Sequence, residues 1–102
     1  MIGTTLTVPN TKTSLYALLV AAGYTAPPET FAEVRIETDL ANTDDIYVGV
    51  GNLSTTVYGA RLPNSATTPY VFTFGHDEYS GNVRGIFLLA AVNNEKVHIF
   101  IR

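Results

Sequence analysis

From Phe31 to Asp39 the chain sets Ala32, Val34, Ile36 and Thr38 against Glu33, Arg35, Glu37 and Asp39. A period of two means that successive side chains leave a pleated backbone in opposite directions, so this segment predicts an antiparallel strand with one buried and one solvated face. Such a strand needs a second layer over its apolar face. The remaining sequence can supply it. Ile46 to Val50 alternates again, with Ile46, Val48 and Val50 sharing a face, and Gly49 and Gly51 mark a bulge or a close backbone approach. Val57 to Leu62, Pro69 to Phe74, Val83 to Ala91 and Lys96 to Arg102 read as four further strands. Turn signals at Pro63-Asn64-Ser65, Gly75 to Asn82 and Asn93-Asn94 separate them. The fold expected is mainly β: an antiparallel sandwich or barrel.

Within that frame, the nearly unbroken apolar run Ile86 to Ala91 makes sense only with both faces covered. The last strand directs Val97, Ile99 and Ile101 inward and leaves His98 and Phe100 outward. Val34, Ile36, Val48, Leu88, Val97 and Ile99 are the expected core. Ahead of a single β domain over 13–102, residues 1–12 form a short strand or extended arm: Ile2, Thr4, Leu6 and Val8 alternate with Gly3, Thr5 and Thr7 until Pro9-Asn10 interrupts. One short helix is expected over 14–22. Thr13 or Ser14 can cap it, Leu15, Leu18, Leu19 and Ala22 recur at helical spacing, and Gly23 stops it. Pro27-Pro28 makes the following segment an irregular connector.

Charged residues are only 15% of the chain, against a usual share of about 25%, while 46% is hydrophobic. So few charges suit a surface packed against neighbours. The net charge of −3 is spread without a basic stripe, which argues against a nucleic-acid partner. There is no cysteine, hence no disulfide framework and no thiolate metal site. Residues 1–10 lack the basic segment and long apolar run of a signal peptide, and Leu15 to Ala22 is too short to span a bilayer, so synthesis in a cytoplasm and no membrane partner are expected. In that setting the sequon Asn52-Leu53-Ser54 reads as a polar turn.

Residues that could carry chemistry are sparse. No nucleophile elbow, phosphate-cradling glycine loop or zinc-binding helix motif occurs, and His76 and His98 have no third ligand at metal-like spacing. No catalytic, cofactor or metal site is expected. Asp77, Glu78 and Asn82 could offer oxygen to a cation, but turn geometry explains the same residues in the loop over 75–82. What stands out is an aromatic surplus: Tyr47, Tyr58, Tyr70, Phe72, Phe74 and Phe100 cannot all point into one small core. Tyr70, Phe72 and Phe74 share one strand face, which is either core or interface. The two chain ends look like unpaired sheet edges, and either could add to a neighbouring subunit. The expected contact residues are therefore Ile2, Leu6, Val8, Tyr70, Phe72, Phe74, His98 and Phe100.

A larger pattern runs through these segments. Val34-Arg35-Ile36-Glu37-Thr38-Asp39 is followed by Ala41-Asn42-Thr43, then Ile46-Tyr47-Val48-Gly49, then a Ser/Thr-rich loop ending Tyr58-Gly59-Ala60-Arg61-Leu62-Pro63, and a closing pair of strands. Ser14-Leu15-Tyr16-Ala17-Leu18-Leu19 to Ala21-Ala22-Gly23 precedes it. In this respect the chain resembles small β-sandwich proteins of tailed-bacteriophage virions. The resemblance implies a jelly-roll-like decoration or cement protein, non-enzymatic, that binds the major capsid protein or other virion subunits and forms a dimer or trimer of itself. It also implies residence in the virion after synthesis in the host cytoplasm. The chain departs from the group at Asn64-Ser65-Ala66-Thr67-Thr68, where glycine and an acid are common. The alternative reading is a head or tail-fibre appendage that binds a receptor or carbohydrate, with exposed tyrosines stacking on sugar rings.

Overall fold

Eight strands pair in four nested couples. β1 (Ile2–Val8) lies beside β8 (Glu95–Ile101), β2 (Thr13–Ser14) beside β7 (Phe87–Ala90), β3 (Glu33–Thr38) beside β6 (Val71–Gly75), and β4 (Ile46–Gly49) beside β5 (Ala60–Leu62). This is one long antiparallel ribbon rolled upon itself, which yields two four-stranded sheets in the orders β1-β8-β3-β6 and β2-β7-β4-β5. Of the sandwich and the barrel that the strand pattern allows, the chain forms the sandwich, with the nested pairing of a jelly roll. The computed structural model describes residues 2–77 and 81–102.

The alternating strands explain the core. Val34 and Ile36 of β3, Val97 and Ile99 of β8 and Leu6 and Val8 of β1 face Ile46 and Val48 of β4 and Leu88 of β7 across the sandwich, all buried. Fully burying such a side chain stabilises by roughly 1.5–3 kcal/mol, so these positions dominate the energetics. The six core residues expected from alternation are all inside.

The helix α1 (Leu15–Ala21) covers one end. Ser14 caps it by accepting the Ala17 N–H at 3.1 Å. At the other end Gly23, with φ +107°, lets Tyr24 N–H reach Leu19 C=O and Gly23 N–H reach Val20 C=O, a Schellman stop available at little cost to glycine. Leu15, Leu18 and Leu19 point inward.

Several boundaries move. β4 stops at Gly49, where Leu53 N–H turns back to Val50 C=O, so Val50 is exposed instead of sharing the inward face of Ile46 and Val48. Val83 to Gly85 forms a 3-10 turn capped by Asn82, and the strand expected from Val83 begins only at Phe87. Ala32, expected inward, is exposed, because regular pairing of β3 starts at Glu33.

Candidate interaction surfaces

Neither chain end is an unpaired strand. β1 pairs with β8 along its whole length, from Ile2 opposite Ile101 to Val8 opposite Glu95. β8 in turn lies between β1 and β3, so the terminal strand is central. Of the two readings of residues 1–12, the strand is correct. Ile2, Leu6 and Val8 are 7%, 1% and 0% exposed, inside the core of their own domain, which overturns their assignment as contact residues. The physical reason is the rolled topology: the first and last strands meet, so β8 is covered on both flanks and β1 buries its inward face as the edge strand beside it.

The aromatic strand divides. Phe74 is buried, edge-on to Phe31 at 5.7 Å between centroids, and Phe72 is half-buried at 5.4 Å from Phe74. Phe74 is thus core and not contact surface; of the three, Tyr70 is the exposed one.

His98 and Phe100 face outward as alternation predicts. On the outer face of the first sheet they stand between β1 and β3, where Phe100 lies opposite both Gly3 and Arg35, and His98 opposite both Thr5 and Glu37. Together with Thr4 and Ile99 these residues line a shallow groove of about 360 Å³. Arg35 pairs with Glu37 at 3.3 Å. The His98 ring bridges, Nδ1 lying 2.9 Å from Thr5 Oγ1 and Nε2 3.0 Å from Asp39 Oδ2. Asp39 is held below the ordinary carboxylate range, first by the Ala41 N–H that its side chain accepts at 2.8 Å and, against some desolvation, by His98.

A second surface escaped the strand reading. Beyond the end of β4, Val50, Val57 and Tyr58 are each about half exposed and line an apolar groove of about 210 Å³ with Gly49, Asn52 and Gly59. Tyr47 stacks at a tilt on Tyr58, centroids 5.1 Å apart. The available signal was Gly49, where the chain makes a close approach, a Cβ there standing 3.0 Å from Leu53 Cδ1 and 3.4 Å from Gly59 N, and β4 stops; Tyr58 already belonged to the aromatic surplus.

No group of three or more metal-ligating His, Asp or Glu side chains occurs among the described residues. Glu78 of the loop considered for a cation lies outside them, while Asn82 Oδ1 is engaged by the Arg84 N–H at 2.8 Å. No described helix is long and apolar enough to cross a membrane. Comparison with protein-family models, with curated proteins and with solved structures gave no match.

Proposed function

We propose that this chain is a non-enzymatic structural protein of a tailed-phage virion, a decoration or cement subunit that binds capsid subunits and copies of itself. The observation that carries the proposal is the contiguous exposed patch of Val50, Val57 and Tyr58 at one end of the sandwich. Apolar and aromatic side chains clustered open to water, here in the loop between β4 and β5, are what protein contacts use at their centres. The low charge content supports the same reading, as does the resemblance of the strand and loop segments to virion sandwich proteins. A jelly roll alone fixes no function. Its localisation is then the virion, after synthesis in the host cytoplasm.

The test is co-sedimentation of the purified chain with shells assembled from the capsid protein encoded alongside it. The parent is expected to pellet with shells, and a variant carrying Val57→Ser and Tyr58→Ser to stay in solution with unchanged circular dichroism. The Tyr47 and Tyr58 pair also favours a second reading, a carbohydrate-binding appendage, since a tilted tyrosine pair beside a groove can stack on a sugar ring. Binding on a glycan array without shell binding would replace the first reading with the second.

A further inference from the structure

Sheet edges present unpaired backbone groups, and proteins that stay monomeric blunt them with short strands, charge, proline or a covering element. Three of the four edges here are blunted. β2 has two residues and β5 has three, one of them Arg61. β1 is flanked by α1, whose Leu18, Ala21 and Ala22 share a crevice with Thr5 and Thr7. β6 differs: Val71–Gly75 is five residues without charge or proline, with Tyr70 and Val71 exposed at 44% and 42%.

The register identifies which backbone groups of β6 are spare. Glu33 exchanges hydrogen bonds with Arg102, and Asp39 N–H donates to Lys96 C=O, so these residues of β3 direct their backbone toward β8. Alternation then turns Val34, Ile36 and Thr38 toward β6, as the 3.0 Å bond from Thr38 N–H to Tyr70 C=O bears out. Opposite them Phe74, Phe72 and Tyr70 direct their backbone at β3. Val71, Thr73 and Gly75 therefore aim theirs away from the sheet.

We infer that β6 is a homodimer edge, pairing antiparallel with β6 of a second copy about a twofold axis at Thr73. This rests on the proposed capacity of the chain to bind itself and names the surface. The strand is self-complementary about that axis. Thr73 meets its own copy, Val71 meets Gly75, and the bulk of each valine falls where its partner residue has no side chain. All three facing pairs are of the kind that exchanges two bonds, about six in all. No charge on β6 opposes another, and Arg35 and Glu37 sit one strand further in. The result is one eight-stranded sheet running through both copies.

The absence of cysteine makes single-cysteine cross-linking a clean test. The Thr73→Cys variant should oxidise to a covalent dimer, because facing residues of such a pair have Cα atoms about 5.5 Å apart. Val71→Cys should not, since its copies are offset by four residues, about 13 Å along the strands. In light scattering the parent should have the mass of two chains. Thr73→Pro should have the mass of one, with β-type circular dichroism retained, because the Thr73 N–H points away from β3 and serves no bond among the described residues. A parent of one-chain mass at every concentration overturns both self-binding and this edge. A dimer that persists in Thr73→Pro, or that cross-links through Val71→Cys as readily as through Thr73→Cys, overturns the edge alone. A monomeric parent whose Thr73→Pro variant loses shell binding would assign the edge to the shell protein and overturn the dimer. If Thr73→Pro does not fold, the two cysteine variants decide.

Discussion

Asn42 faces Lys96 as a strand residue would: its Oδ1 accepts the Lys96 N–H and its Nδ2 donates to the Lys96 C=O, both at 2.8 Å. The substitution of side chain for backbone has a cause. Asp39 C=O, which would otherwise receive the Lys96 N–H, is taken by Asn42 N–H in the turn that ends β3. One residue back on β8, the buried carboxylate of Glu95 accepts the N–H groups of Thr43 and Asp44 at 2.8 and 3.1 Å, and lies 3.2 Å from Thr43 Oγ1. Two side chains thus tie the crossover between the sheets to the central strand.

Truncating Glu95 to Ala leaves those donors without an acceptor and should cost about 1–3 kcal/mol. Glu95→Gln keeps the shape, one oxygen for the two N–H groups and an NH₂ for Thr43 Oγ1, so it should cost less than about half as much. Urea melts of the two variants check this. Equal losses would mean that packing, not hydrogen bonding, holds the turn.

In the core, Leu88→Ala and Ile36→Ala should each cost about 2–5 kcal/mol, because both side chains are fully buried. For a domain of this size that is a large part of the total stability. Shifts under a quarter of that range in urea melts would contradict the packing described.

How far these features were legible in the sequence depends on how local they are. Alternation is local, so Val34, Ile36, Val97 and Ile99 could be placed by reading along the chain, and so could the outward His98 and Phe100. Pairing is not local. Nothing in Ile2 to Val8 indicates that its neighbour is Glu95 to Ile101, and two strands that each look like an edge became an edge and a central strand once they met. The residue types of Asn42-Thr43-Asp44-Asp45 signal a turn, but the acid that satisfies the turn lies on β8. Val50 departs from the alternation of Ile46 and Val48 because alternation does not signal where a strand stops, and β4 ends at Gly49.

Acid should weaken the outer-face bridge in a defined direction. The Asp39 carboxyl is held below its ordinary range, chiefly by Ala41 N–H and also by His98. A group whose pKa is lower folded than unfolded stabilises the fold above its unfolded value, about 3.9, and loses that contribution as pH falls through its folded value. The difference in melting temperature between the parent and Asp39→Ala should therefore be constant near neutrality and shrink as pH drops below about 4. A difference that widens with acidification would reverse the assigned sign.

Removing residues 1–8 and changing Phe100 to Ser separate core from surface at the two meeting strands. Ile2, Leu6 and Val8 are buried, and at roughly 1.5–3 kcal/mol for each such side chain their loss approaches the total stability of a small domain, about 5–15 kcal/mol. The deletion would also expose the flank of β8 along the seven residues that now pair with β1. It should abolish the cooperative melt and the β-type circular dichroism, and shell binding with them. Phe100 is 38% exposed on the outer face, its ring lying over Gly3, where a Cβ would stand 3.7 Å from Cδ2. Phe100→Ser should therefore cost about 1–2 kcal/mol, well short of the deletion, and leave the spectrum unchanged, so any loss of shell binding in that variant at a temperature below its melt reports on contact and not on folding. A deletion variant that melts cooperatively within a few degrees of the parent would show that β1 is an appendage after all.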